Sequence, residues 1–581
     1  MKCESVNVVL AKKGLQPPVL FALSPDNQNY NGLLLQPSWS IYAGDDRIGA
    51  YDQTIATQKC SSFLKLAVAT EADIAIAPEY CVPWSVLQKA VESEAFPTPG
   101  RLWVLGCESI TGAELEAFAT AVQAIVIHEP VPPHGTYLDP VALCFQTQTD
   151  SGDWTRVVLI QFKTAPSRDD HFLENEHLIR GTTIYRFQSP DELLSLGVII
   201  CSDAFALATA AGVLRRLTDR ATLIHIQLNP NPRHPDYRAY RTLTFRGNKE
   251  LTNCDIVCLN WAKNVKQYDQ GGAEPTDWKN IGGSAWYLPH GRCSTSDVEI
   301  LRNHKKGLYY CFMEERRHAL LFHYDEAVFK LSISKPVADV DSVLVNSLGP
   351  LMVARYRWDA EAEVWSEDVE CPETGLATIL EEDEDVAFAL RNVHGAGDDL
   401  AVERVVSLAA GRSRHQERWF KLDLLEACRL DADEIVRRVT FAADSHPRAS
   451  EYRNTAIQRT AALGKIIEHH VDWPPQVRDI KGASLSWVAN DPNYNLRRDN
   501  MEPALVVYLG EHPEGKTVRA AADGLYELLR KEGRTYSHRI AICFRRHGQL
   551  VFAQIPALTR FDMVDNGLAD ISRVIEPSEQ D

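Results

Sequence analysis

Three residues suited to covalent catalysis stand at the ends of three short apolar runs. Leu196-Gly197-Val198-Ile199-Ile200 reads as a buried strand that delivers Cys201 to its polar end. Ala72–Ala77 (ADIAIA) leads through Pro78 to Glu79, and Val157–Phe162 leads directly to Lys163. In open α/β sheets, chemistry gathers at the carboxyl ends of strands, where side chains leave the core with a rigid backbone behind them. A thiol nucleophile needs a base to take its proton and a positive charge for the oxyanion it creates. Glu79 in a shielded pocket would have its pKa raised towards neutrality and serve as that base. Lys163, with the backbone N–H of Ser202, would hold the oxyanion. The helix-like segment after Cys201 adds a helix N-terminus, which favours thiolate.

Taken singly, each residue has a plainer role: one inert core thiol among thirteen cysteines, a surface or capping carboxylate, a solvated lysine. Their order along the chain is more specific. A glutamate, a lysine and a cysteine, each ending a strand-like run, resembles the nitrilase superfamily of carbon–nitrogen hydrolases. Asp203 stands two residues after Cys201, where that family commonly has an acid. Cys254-Asp255-Ile256-Val257-Cys258-Leu259-Asn260-Trp261 is similar to its strand ending in asparagine, and Gly282-Gly283-Ser284-Ala285-Trp286-Tyr287-Leu288-Pro289-His290-Gly291 to its closing hairpin. Glu176-His177-Leu178-Ile179-Arg180-Gly181 resembles the segment bearing the family's second active-site glutamate. The interval from Lys163 is longer than the family's, with Ser167-Arg168-Asp169-Asp170 as an insertion, so Glu174 competes for that role and Glu176 is preferred.

The resemblance covers residues 5 to 335. It implies a nitrilase-like four-layer αββα sandwich, often dimerised or further assembled into homo-oligomers. It also implies cleavage of an amide or nitrile of a small-molecule substrate, or acyl transfer, through a covalent intermediate on the cysteine. No metal or organic cofactor is required for that chemistry. Glu79, Lys163, Cys201 and Glu176 would be catalytic, with Tyr80, Ser202 and Asn229 bordering the substrate. Two departures blur the substrate: Ser202 replaces the aromatic residue usual after the nucleophile, and Ala204–Gly212 replaces the family's Arg-Phe-Pro-Glu-like segment. His225 reads as a satisfied core histidine, and Arg233, Arg238, Arg241 and Arg246 as either an anion site or interface salt bridges.

The elements that must position these residues alternate between strand-like and helix-like. Leu102–Leu105, Leu223–Leu228 and Ile256–Leu259 are further short apolar runs. Trp84–Ala95 and Ala206–Leu217 have helical composition, and Phe322–Ser334 supplies a last edge strand. Around Pro336 the character changes, which sets a boundary near 340: a hydrolase-like domain over 1–338 and an α+β region over 339–581. The second region reads as helical over 400–470. A small α/β unit follows over 500–560, as Ala504–Leu509, Lys516–Lys531, His538–Phe544 and Gln549–Ile555. The acidic run Glu381–Asp385 is a solvated loop or helix start.

At 581 residues the chain exceeds one ordinary core. With 61 basic against 79 acidic residues, a net charge of −18 disfavours broad nucleic-acid or anionic-membrane binding. The run Leu194–Leu214 is apolar enough to suggest a span, but Asp203 near its centre argues against one. Met1-Lys2-Cys3-Glu4-Ser5 lacks the apolar core of a secretion signal, and the cysteines are odd in number and unpaired in spacing. Both point to a reduced, cytoplasmic setting. A rival reading keeps the fold without turnover, as a sensor or scaffold in a bacterial defence or signalling assembly whose oligomerisation a ligand controls.

Overall fold

The apolar runs become strands where their patterns place them. The structure, a computed structural model, describes residues 1–553 except 25, 27, 168–173, 231–234, 247–253, 272–273, 279–283, 290–296, 315–316, 336–348, 371, 373–379, 395–398, 410–446, 488–493 and 532–537. The chain divides into two compact units, the first over Met1–Tyr310 and Glu315–Pro372 and the second mainly over the residues after it.

Two mixed sheets form the first unit. One orders its strands as Val364–Glu367, Leu351–Asp359, Ala327–Ile333, Tyr30–Gln36, Ile74–Val82, Leu102–Cys107, Pro140–Gln148, Trp154–Phe162 and Ile125–Ile127. The other runs Lys2–Ser5, Thr183–Gln188, Ser195–Ile200, Ala221–Ile226, Cys254–Leu259, Ala285–Pro289, Arg317–Phe322 and Leu308–Glu314. Ser195–Ile200, Ala221–Ile226 and Cys254–Leu259 are parallel neighbours, buried along their whole length. Strands covered on both faces read as continuous apolar runs, which is why these stretches stood out in the sequence.

The sheets pack face to face. Trp154–Phe162 meets Thr183–Gln188, and Ile74–Val82 meets both Ala221–Ile226 and Cys254–Leu259. Gln161 joins them: its amide donates to the Val198 carbonyl at 2.9 Å and accepts the Tyr185 N–H at 2.9 Å. A buried amide with both ends satisfied fixes the relative placement of the layers. Phe145 and Phe187 add an edge-to-face contact at 5.4 Å. The helices Gln53–Ala69 and Trp84–Glu92 go with the first sheet, and Asp203–Thr209 and Ala211–Thr218 with the second. This is the four-layer αββα sandwich. Asp52 starts the longest of these helices, its carboxylate accepting the Thr54 and Ile55 N–H groups.

Three expectations change. Ala327–Ile333 is an interior strand, because Leu351–Asp359 and Val364–Glu367 extend the sheet beyond it, and the first unit runs to Pro372 instead of ending near 338. The helical stretch after Cys201 breaks at Ala210 into two short helices. The apolar run Leu194–Leu214 is therefore a strand followed by those helices. Among the described residues no helix is long and apolar enough to cross a membrane.

In the second unit, Glu384–His394, Asp399–Ala409 and Pro447–His469 are helices, and Glu384 and Asp385 of the acidic run start the first of them. Leu505–Glu511 pairs in parallel with Ile540–Arg546 around the helix Gly515–Lys531, and Gln549–Phe552 closes a three-stranded sheet.

Candidate active site

Glu79 lies inside the strand Ile74–Val82, where the pairing with Leu102–Cys107 is interrupted between Ala77 and Val82. The irregularity turns Glu79 out of the ladder, and Tyr80 follows in the left-handed region at φ 54°. Gly106 makes room for it: a Cβ there would stand 2.1 Å from the Pro78 carbonyl oxygen and 2.7 Å from the Glu79 Cα. Only a residue without a side chain allows that approach. The Glu79 backbone carbonyl is pinned by the Trp261 indole N–H at 2.9 Å, and its Oε2 accepts the Leu228 N–H.

Lys163 reaches the same point from the adjacent end of Trp154–Phe162. Its Nζ lies 2.7 Å from Glu79 Oε1, 2.7 Å from Glu174 Oε1 and 3.3 Å from Asp139 Oδ2, with all four side chains no more than 1% exposed. Glu174 also accepts from the Tyr80 hydroxyl at 2.9 Å and the Ser167 N–H at 2.5 Å. Three carboxyls drawn together at this range would suit a cation, and the cation they surround is the lysine's own ammonium. Burial works against the charge on Lys163, but the fields of Glu174, Glu79 and Asp139 outweigh it and raise its pKa well above the ordinary value. Burial raises Glu79 above the usual carboxylate range, with Lys163 opposing.

Cys201 ends Ser195–Ile200 with φ at 36°, a left-handed conformation that costs a non-glycine residue roughly 1–2 kcal/mol. Hydrogen bonds to both of its backbone groups hold it there. The Cys201 N–H donates to the Ile226 carbonyl at 2.8 Å, and its carbonyl lies 2.9 Å from His225 Nε2. Asp203 braces the same turn, accepting the Ile200 N–H at 3.0 Å on one oxygen and the Thr164 N–H at 2.7 Å on the other. The acid two residues after the cysteine thus ties the cysteine turn to the residue after Lys163. The Cys201 thiol is buried, 3.7 Å from the Tyr237 hydroxyl. Burial and then the Glu79 charge push its pKa up, with Lys163 pulling it down, so the resting group is a thiol that needs a base.

Glu79, Lys163 and, through Glu174, Tyr80 therefore meet in one buried cluster, and Cys201 is buried near enough for the Glu79 and Lys163 charges to shift its thiol. Glu176 does not join them: the helical turn Glu174–His177 buries Glu174 and leaves Glu176 exposed. Two positions apart on a helical turn, the two carboxylates face different directions, and Glu174 is the one that reaches Lys163. Ser202 and Asn229 are both buried beside the cluster. The Ser202 hydroxyl is spent on the Ala165 carbonyl at 2.6 Å. Asn229 is bracketed by Asn260, which accepts the Asn229 N–H at 3.0 Å and donates to its carbonyl at 2.8 Å. The Asn229 side-chain amide donates to Gln227 Oε1 at 3.2 Å.

His225 is fully buried, its Nδ1 2.8 Å from the Tyr240 hydroxyl, and burial followed by the Arg241 charge lowers its pKa to about 3. Arg241 packs over the Tyr287 ring and donates to the Cys258 sulfur. Arg233, Gly282, Gly283, His290 and Gly291 lie outside the described residues. Asp139 and Tyr237 escaped the sequence reading, since neither ends an apolar run.

No family model matches the chain, and no curated protein does. Solved structures similar to it include an amidase from Nesterenkonia sp., at 11% identity over 52% of this chain and 92% of that one, with a TM-score of 0.28. A mutant of the Nesterenkonia AN1 amidase from the nitrilase superfamily is similar at 10% identity over 54% and 94%, with a TM-score of 0.31. Glutamine-dependent NAD+ synthetase from Acinetobacter baumannii is similar at 14% identity, with a TM-score of 0.30; the match spans 66% of this chain and 56% of that one.

Proposed function

We propose that this chain is a cysteine-dependent hydrolase that cleaves a carbon–nitrogen bond of a small molecule, amide or nitrile, through a covalent intermediate on Cys201. One observation carries the reading. The Lys163 ammonium sits 2.7 Å from both Glu79 and Glu174 in a cluster closed to solvent, with the buried thiol of a cysteine held left-handed at a strand end within range of the Glu79 and Lys163 charges.

For an amide, the Cys201 sulfur attacks the carbonyl carbon as Glu79 takes the thiol proton. The oxyanion forms against the Lys163 ammonium and the Ser202 N–H, in surroundings where fixed charge acts with little screening. Glu79 returns its proton to the leaving nitrogen, the carbon–nitrogen bond breaks and a thioester remains. Water then loses a proton to Glu79, attacks the thioester and releases the acid, and the thiol recovers the proton. A nitrile instead adds the thiol across its triple bond to give a thioimidate; one water adds to that, ammonia leaves, and a second water hydrolyses the resulting thioester. Glu174 acts through Lys163, as a positioning residue.

Ammonia or amine release from a panel of short aliphatic and aromatic amides and nitriles tests the proposal. Wild type should turn over at least one member that C201A does not, and turnover surviving in C201A would contradict the reading.

A further inference from the structure

Asp139 is the one buried carboxyl in contact with Lys163 that has no part in the scheme above. It directly precedes Pro140–Gln148, and its backbone carbonyl accepts the Lys163 N–H at 2.9 Å, which sets the two side chains together. Its carboxyl is wholly buried, with Oδ2 3.3 Å from Lys163 Nζ.

One ammonium cannot neutralise three carboxylates in a dry site, so at least one of the three keeps a proton. The donors show which. Glu79 receives Lys163 and the Leu228 N–H, and Glu174 receives Lys163, Tyr80 and Ser167. Neither oxygen of Asp139 receives a hydrogen bond among the described residues. A buried carboxyl without donors is the one that stays neutral, and as a neutral acid it becomes a donor itself. Glu79 is the better acceptor: one carboxyl oxygen each of Glu79, Asp139 and Glu174 lies within 4.8 Å of the others, and Glu79 has two donors where Glu174 already has three.

We infer that Asp139 is a positioning residue held as a neutral acid, whose O–H donates to Glu79 and keeps Glu79 ionised and aimed at Cys201. The inference rests on Glu79 being the base. The groups facing Asp139 are Glu79, Glu174, Lys163, Tyr80 and Tyr137. Burial, then the Glu79 charge, push the Asp139 carboxyl well above its usual range, and the contact with Asp139 lowers Glu79 in turn. The proton transferred in catalysis moves from sulfur to Glu79, and Asp139 keeps its own throughout.

Two readouts separate this inference from the nucleophile assignment. The first is infrared spectroscopy of the whole chain at pH 8. Wild type should show a protonated-carboxyl stretch that D139N removes, and the absence of that band overturns the proposal whatever Cys201 does. Should D139N not fold, E79Q replaces the acceptor: the wild-type band must shift in E79Q, and an unshifted band overturns the proposal. The second is the pH dependence of Cys201 alkylation by iodoacetamide. D139N, which keeps an N–H donor, should leave the acid limb in place, and D139A should move it up by about one pH unit, the equivalent of one hydrogen bond. An ionised Asp139 predicts the opposite sign, with both variants moving the limb down, and that result overturns the inference.

Discussion

Glu174 Oε1 accepts from both Lys163 Nζ at 2.7 Å and the Tyr80 hydroxyl at 2.9 Å. The lysine is thereby held between two glutamates, and the residue after the base is tied into the same cluster. E174Q should lower turnover by about 100-fold, the order expected when a catalytic group is displaced by an ångström. E176Q should match wild type, because that side chain is exposed. Parallel kinetics of the two variants check this, and equal losses in both would place the second glutamate wrongly.

Lys163 is the only positive group in contact with the three buried carboxyls among the described residues. K163A should destabilise the chain by about 3–5 kcal/mol, since it strands buried negative charge. The sign with pH follows from the carboxyls. Glu79 and Asp139 already have raised pKa values with the lysine present, and removing it raises them further. A group raised in the folded state contributes stability below its unfolded pKa and loses it as pH rises through the folded one. The K163A deficit should therefore shrink as pH falls from 7 towards 5, which denaturant melts at several pH values measure.

His225 Nε2 lies 2.9 Å from the Cys201 carbonyl oxygen, which can only accept, so that nitrogen carries the proton and the ring is neutral. Its folded pKa of about 3 lies below the unfolded value, so its contribution is present above about pH 6.5 and is lost as pH falls towards 3. H225Q keeps a donor towards the cysteine turn and should retain activity. H225A leaves buried groups unpaired and should cost about 1–3 kcal/mol along with much of the Cys201 reactivity. Thermal melts with alkylation rates distinguish the two, and an H225A chain as reactive as wild type would remove His225 from the account.

Gly106 is where a single methyl group should be felt at the base. In G106A the new Cβ collides with the Pro78 carbonyl and the Glu79 Cα, both backbone atoms that cannot turn aside. The expected cost is about 1–3 kcal/mol of overpacking, with slowed Cys201 alkylation because Glu79 is displaced. A folded G106A with unaltered alkylation would show that the strand irregularity does not position Glu79.

Much of this was legible in the sequence because the sandwich core advertises itself. Strands covered on both faces stay apolar along their length, so Glu79, Lys163 and Cys201 stood out where those runs end. Glu174 and Glu176 did not separate, since a single helical turn with two acids carries no periodicity to show which faces inward. Asp139 and Tyr237 come from a segment before a strand and from a helix, and only the tertiary fold brings them to the cluster. The hydroxyl of Ser202 and the amide of Asn229 read as pocket groups because they follow strand ends, yet the hydroxyl donates to the Ala165 carbonyl and the amide to the Gln227 side chain. The boundary near 340 followed a real change in composition, but two more strands complete the sheet beyond it.

The central claim is that Cys201 is a nucleophile served by Glu79. Wild type, E79Q and C201A are treated with a stoichiometric small electrophile at neutral pH, and the modified residue is located by peptide mass spectrometry. The account predicts one label on Cys201 in wild type, formed at least about 100-fold more slowly in E79Q, and none at that position in C201A. A wild-type chain whose Cys201 stays unlabelled while other cysteines react, or an E79Q chain that labels as fast as wild type, would contradict it.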